Sequence, residues 1–521
     1  MEHFSWLKKT KPSIFLVYSA LLFIVHTILL ISINLNKKDF DIVNTYFFEN
    51  WSGLFKFDTM GISWLYISSF IILFCQLILF SKSMYNSFAF GKDKNLIFGF
   101  NWVIVYSNKS YGWWIIYLFI IHLALTFLFL TDNAIVFYIA FETTLLPFIL
   151  WIGEAALRSR RWHAGFYLTF FTLIGSIGML WSISILYQIN NTFVLSDYEF
   201  SVLKVNEFNY LFNLFYNLNS FSFSLDSEAI LFNNHSLKVA FFLFTFSFLI
   251  KFPVFPLASW LPEAHVEAST EASVLLAAVL LKVAPFGFYK IIIPSFSEWY
   301  FNYRSVIWII GLVSALIYVF SLLSQTDLKR AIAYTSIIHM SIMLCLLASP
   351  SKSSMDSAFL MGALHSFCSA GLFCCIGYLY DKDKNKNLNY ISGIVSLRPI
   401  FTFFFLLFNL VNVGYPLIGS YISESLLIMS STGSLNHIYT LLIVIILYIL
   451  TASIFFMMSK IFYRSFKADD VRKIIDISKD ETISLSLLFA ICILLGIFPS
   501  IYLNYVEDSL FNLSEMLNYI C

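Results

Sequence analysis

Thirteen apolar runs, each long enough to cross a hydrocarbon layer, dominate this 521-residue chain. A bilayer core about 30 Å thick takes roughly 17 to 25 residues of helix. Inside it the chain must satisfy every backbone amide itself, which leaves only helices and closed barrels. The runs fall at 14–34, 61–80, 113–131, 134–152, 165–189, 236–258 and 273–294, then at 303–324, 330–349, 356–380, 398–431, 436–463 and 483–504. Their length selects helix. Composition agrees: 59% of residues are hydrophobic and 12% charged, where a soluble domain carries about 25% charged residues. The fold class expected is an all-α polytopic membrane protein with about 13 transmembrane helices. A net charge of +1 gives no reason to expect a nucleic-acid partner.

Charge placement tests that count. Loops assigned alternately to two sides put 22 of the 32 Lys and Arg on the side of the amino terminus. The positive-inside rule then places that terminus in the cytoplasm-equivalent compartment and the carboxyl terminus across the membrane. The opening MEHFSWLKKTKPSIFLVYSALLF has a basic flank and an apolar run too long for a signal-peptide core, so it is read as a retained first helix. One loop, 190–235, is long, Asn-rich and acidic, with Asp197, Glu199, Glu207, Asp226 and Glu228. Seven cysteines lie almost entirely in apolar runs without metal-ligand spacing, as buried inert thiols do. No glycine-rich phosphate loop or nucleophile elbow occurs.

The stretch FLIKFPVFPLASWLPEAHVEAS, residues 248–269, places Lys251 inside an apolar run and follows it with Pro253, Pro256 and Pro262. A lysine at membrane depth costs about 2.5 to 3.5 kcal/mol on insertion scales. Prolines also free carbonyls that lipid cannot satisfy, so the segment is expected to be interrupted and enclosed by protein. PLIGSYISE (416–424) shares Pro-Leu, a serine, an aromatic and a glutamate with PLASWLPEA (256–264). Paired interrupted segments of this kind point to a transport pathway. Five further ionisable residues sit in spans: Glu142, Lys282, His339, His365 and Glu424. Each has an ordinary structural alternative, such as an ion pair or an interhelical hydrogen bond. As a set they recur along successive central helices. Burial penalises the charged form of each, so a chain of them linked by water can pass protons.

Several motifs carry a resemblance beyond these readings. WLPEAHVEASTEASVLLAAVLLKVAPFGFYKI (260–291), FDTMGISWLY (57–66), FETTLLPFILWIG (141–153), AYTSIIHM (333–340), ALHSFCSAGLF (363–373) and YPLIGSYISESL (415–426) cover most of the chain from about residue 55. The sequence resembles the antiporter-like family of respiratory complex I, the NADH:ubiquinone oxidoreductase, a family shared with cation/proton antiporters. His265 and Lys282 stand where its subunit 5 branch carries methionine and histidine, so the subunit 4 branch fits better. Departures from the family pattern are Pro285 and Ser423, where glycine is usual, and one helix fewer than the usual 14, as if the first were missing.

The resemblance implies two inverted five-helix repeats with two interrupted helices. It divides the chain into N-terminal helices (1–112), a first half (113–294), a second half (303–463) and a C-terminal helix (464–521). Glu142 and Lys251 would form an input pair, Lys282 a central bridge, His339 and His365 its continuation, and Glu424 the output. His265 would lie in the loop beside the first broken helix. No cofactor is expected in this chain; NADH, FMN, iron–sulfur clusters and ubiquinone belong to partner subunits. The partners implied are other membrane-arm subunits, above all antiporter-like ones, with lipids such as cardiolipin. The location implied is the mitochondrial inner membrane. A stand-alone Na⁺ or K⁺/H⁺ antiporter subunit is the alternative function.

Overall fold

The computed structural model describes residues 20–27 (apart from 22), 54–56, 58–90, 101–155, 160–198, 227–349, 351–383, 388, 393–416, 418–434, 437–463 and 476–518. Most of the expected first span, together with Glu199, Glu207, Asp226 and Cys521, lies outside these residues. Sixteen helices position the site. They are α1 (Thr59–Phe90), α2 (Asn101–Leu130), α3 (Ala134–Thr143), α4 (Leu145–Ala155), α5 (Arg161–Asn190), α6 (Ser227–Lys251), α7 (Trp260–Glu267) and α8 (Thr270–Ala278). There follow α9 (Ser297–Leu323), α10 (Leu328–Leu347), α11 (Lys352–Asp383), α12 (Pro399–Val413), α13 (Ser420–Ser434), α14 (His437–Tyr463), α15 (Lys479–Ile497) and α16 (Pro499–Asn518).

Among the described residues ten helical segments are long and apolar enough to cross a membrane. They correspond to ten of the thirteen apolar runs. The two other described runs, 236–258 and 398–431, are the ones whose prolines and glycines foretell a break, and both are broken. Extended pairing among the described residues is limited to two isolated bridges, Phe55 with Thr131 and Asn133 with Val194, which pin the turn between α2 and α3.

Local chemistry sets several helix ends. Asn133 caps α3 by accepting from the amides of Ile135 and Val136 at 3.0 and 3.3 Å. Pro147 has no amide to offer the Thr143 carbonyl, and its ring crowds it; the span is jointed at Thr144 accordingly. Ser478 and Glu481 form a reciprocal capping box at the start of α15.

Burial follows a radial order. The span on α11 lies wholly inside the protein and the 270–295 span is 94% buried, whereas the spans of α5, α14 and α15 turn most of their surface outward. α11 packs against α8, α10, α12, α13 and α15. Its close approaches use missing side chains: a Cβ on Gly377 would meet the Thr270 methyl, and one on Gly371 the Phe408 ring. The most enclosed helices therefore carry Lys282, His339 and His365.

The span expected at 273–294 as one unbroken run is divided. α8 stops at Ala278, a 3₁₀ turn covers Leu280–Lys282, helix resumes at Val283–Gly287, and a π turn spans Phe288–Ile292. Apolarity marked where this segment crosses the membrane but not its backbone hydrogen-bond register, which the packing of aromatic side chains such as Phe248 against Gly287 helps to decide.

Candidate functional site

Lys251 is the last residue of α6, where the chain leaves the helix through Phe252–Phe255 and a cis Phe255–Pro256 bond. The groups freed by the break find partners within the protein. The Trp260 indole donates to the Ile250 carbonyl at 3.1 Å, and the Phe255 amide donates to Ser314 Oγ at 2.9 Å. The Lys251 ammonium is buried, 3.1 Å from the centre of the Phe141 ring and 3.5 Å from the Phe141 carbonyl. An aromatic face attracts a cation, more so when water is excluded. Glu142, beside the α3/α4 joint, acts on Lys251 electrostatically without a direct salt bridge between them. Its Oε1 is buried without a hydrogen-bond partner. The two groups are thus close enough to influence each other.

Lys282 ends the 3₁₀ turn at the centre of the protein. Its Nζ lies 2.8 Å from His365 Nδ1 and 3.1 Å from Met340 Sδ. The His365 ring stands 5.6 Å from that of His339 on α10, and His339 faces Asn412 near the end of α12. A lysine next to a histidine in a buried site disfavours two positive charges, so the pair carries one of them more readily than both.

The second break separates α12 from α13. Gly414 closes α12 at φ +73°, a left-handed conformation that costs an L-residue about 1 to 2 kcal/mol. Ser420 Oγ donates to the Val411 carbonyl across the break. The Glu424 carboxylate packs against the bare Cα of Gly414, where a Cβ would collide with Oε2, and its Oε1 is buried without a partner. Beside the histidines lies a small cavity of about 10 Å³, bordered by His339, His365, Cys368, Asn412 and Ser420.

His265 sits inside helix α7 rather than in a loop. The break falls earlier, at Pro253–Pro256, and the residues after it regain helix. The ring is buried and stacks on Phe373 at 4.5 Å and 9°, within electrostatic reach of His365 and Lys329. Lys329, buried at the start of α10, donates to the Ala268 carbonyl at 2.8 Å. Sequence reasoning passed over Lys329 because it reads as a loop residue beside Asp327. It also passed over Glu271, which is only 2% exposed and pairs with Lys82 at 2.8 Å, while Lys82 reaches Asp381 at 3.0 Å. Asp58 pairs with Lys290 at 3.2 Å. The charges at Glu271 and Lys290, set at the two ends of one apolar run, were the available signal. Among the described residues no group of three or more His, Cys, Asp or Glu is placed to hold a metal ion, and the described cysteines are free and buried.

Two interrupted helices that bring buried ionisable side chains to the centre of a helical membrane bundle define a membrane transport protein. The chain belongs to the NADH:quinone oxidoreductase/Mrp antiporter transmembrane family, whose profile matches residues 131–451. Its curated relatives include NADH-ubiquinone oxidoreductase chain 4 of Acanthamoeba castellanii, 30% identical over 482 residues, which covers 91% of this chain and 86% of that one. The same-named protein of Chondrus crispus is 29% identical over 502 residues, covering 96% and 92%. Among solved structures, respiratory complex I from Thermus thermophilus with bound NADH contains a chain of the same fold, with a TM-score of 0.71 at 19% identity over 97% of this chain and 98% of that one. The Mrp complex from Dietzia sp. contains another, with a TM-score of 0.70 at 15% identity over 100% and 99%.

Proposed function

We propose that this chain is a core membrane-arm subunit of respiratory complex I that translocates protons across the mitochondrial inner membrane. The observation that carries this reading is the 2.8 Å contact between Lys282 and His365, placed between two helix breaks that hold Lys251 and Glu424. The extent of similarity to the chain 4 proteins, 91% of this chain for one of them, supports complex I as the setting. NADH oxidation on FMN and iron–sulfur clusters and the reduction of ubiquinone belong to partner subunits. This chain contributes proton carriers and no redox group. Its neighbours are other membrane-arm subunits, antiporter-like ones above all, with lipids such as cardiolipin at its outer faces.

In the first half, 113–294, a Glu142 carboxylate that moves toward Lys251 holds a proton on the amine, and one that recedes releases it toward Lys282. In the second half, 303–463, His365 and His339 receive that proton and Glu424 delivers it. His265 borders the path at its centre. Moving one proton against about 150 mV takes roughly 3.5 kcal/mol. At about 1.4 kcal/mol per tenfold change in proton affinity, displacing one buried charge supplies energy of this order.

The test is proton ejection per NADH oxidised, measured in sealed vesicles carrying the assembled complex. Lys251→Ala or Glu142→Ala abolishes coupled pumping while the complex still assembles; normal pumping by either variant would refute the relay. A second reading, a subunit of a stand-alone Na⁺ or K⁺/H⁺ antiporter, is favoured by the shared fold with the Mrp complex. Co-purification with flavin and iron–sulfur subunits separates the two.

A further inference from the structure

A second pair of buried histidines lies away from the proposed path, toward the edge of the bundle. His26, in the helical stretch within residues 20–27, and His122 on α2 both fall near the centres of their apolar runs, 14–34 and 113–131. Both side chains are buried. Their ring centres are 5.6 Å apart, with the ring planes at 77°. One nitrogen of each ring, His26 Nδ1 and His122 Nε2, is buried without a hydrogen-bond partner. An unmade hydrogen bond of this kind costs about 1 to 3 kcal/mol, and an ionisable side chain at membrane depth is a functional-site candidate by default. Packing fixes how the two helices are turned. Phe23, one turn before His26, stacks on Tyr66 of α1 at 5.3 Å, while Ile24 and Val25 are exposed. On α2, Leu123 is exposed and its neighbour His122 faces inward.

We propose that His26 and His122 form a binding site for a single copper(I) ion, which ties the 20–27 helix to α2. Neutral imidazole is the commonest protein ligand for metals, and it suits copper and zinc. A metal about 2.0 to 2.1 Å from one nitrogen of each ring sets two ring centres about 5 to 6.5 Å apart, the upper end for a straight nitrogen–metal–nitrogen arrangement. The observed 5.6 Å falls in that interval. Charge and ligand number select the ion. A doubly charged ion is far costlier to bury than a singly charged one, and two neutral rings bring no negative charge to offset it. Zinc calls for four ligands, whereas copper(I) is stable with two. Among the described residues no third His, Cys, Asp or Glu completes a metal-binding group with the pair. Binding displaces no proton: His26 offers the lone pair of Nδ1 and keeps its N–H at Nε2, and His122 does the reverse. The ion stays copper(I) throughout, so the site is structural and independent of the proton-translocation reading.

The experiment uses the assembled membrane complex, stripped with a copper chelator and then exposed to copper(I) kept reduced by ascorbate. Elemental analysis finds one more copper per complex in the unmodified protein than in His26→Leu or His122→Gln. X-ray absorption of that copper shows two nitrogen neighbours. His122→Gln keeps a hydrogen-bonding side chain while withdrawing the metal ligand, so it assembles in normal amount. Equal copper in the unmodified complex and both variants would overturn the site. Zinc alone as the probe, taken up by the unmodified complex and lost in the variants while copper(I) is not, would overturn the choice of ion. A structure of the unmodified complex loaded with copper(I) decides the matter whatever the variants do: density between the two rings supports the site, and rings in contact with no density between them overturn it.

Discussion

Gly414→Ala replaces no titratable group, yet it should disable the proposed output end of the path. The residue sits at φ +73°, where an alanine costs about 1 to 2 kcal/mol of backbone strain. The new methyl would also occupy the position of Glu424 Oε2, and the carboxyl carbon lies only 2.7 Å from the added Cβ. One of the two must move. If the carboxylate yields, it is the collision that displaces it, while the strain stays in either position and shifts the local folding equilibrium of this turn roughly 5- to 30-fold. Protons ejected per NADH oxidised should fall in sealed vesicles, with the complex assembled and its NADH dehydrogenase step intact. Gly165→Ala is the control, because nothing lies within 4 Å of a Cβ built there. Near the start of helix α5 (Arg161–Asn190) it should be neutral or slightly stabilising, by at most about 0.5 to 1 kcal/mol. A Gly414→Ala complex that pumps like the unmodified one would refute the proposed role of the Glu424 carboxylate seated on Gly414.

Other expectations are as direct. His365→Leu leaves the buried Lys282 amine without its 2.8 Å partner. It should lower stability by about 1 to 3 kcal/mol and stop proton transfer, as judged by detergent-solubilised melting and by pumping. Lys82→Leu leaves the buried Glu271 carboxylate unpaired, a loss of about 3 to 5 kcal/mol. A Lys82→Leu, Glu271→Leu pair should recover much of it in the same melting assay, and failure to recover would show that the ion pair is not the cause. Gly377→Ala drives a methyl into Thr270 and should cost about 1 to 3 kcal/mol; Thr270→Ser, which removes that methyl, should relieve it.

Much of the bundle was legible from apolar run length alone, since lipid allows few alternatives to a spanning helix. Lys251 could be located at a break because three prolines follow it, and proline's missing amide is a local property. The divided 270–295 segment was not legible. Leu280, Leu281 and Lys282 suit a regular helix, and the 3₁₀ and π turns there come from neighbours far away in sequence. The family resemblance put His265 in the loop beside the first broken helix, yet helix resumes at Trp260 and includes it. Glu271 and Lys329 were passed over because a charge near a span end normally meets water. Here Lys82 on α1 pairs with the buried Glu271, while Lys329 donates to the Ala268 carbonyl between α7 and α8.

The sequence by itself determined which segments cross, where two of them must break, and which ionisable side chains face the cost of burial. Those follow from lipid, proline and charge, acting on neighbouring residues. Tertiary structure alone decided which of those side chains meet. It put Lys282 in contact with His365 across 83 positions and set Lys251 on the ring of Phe141 rather than on the carboxylate of Glu142. It also seated Glu424 on Gly414 and left a small cavity beside the histidines, bordered by Asn412. Contact between distant residues depends on how helices pack, and a run of residues does not encode its partners' positions.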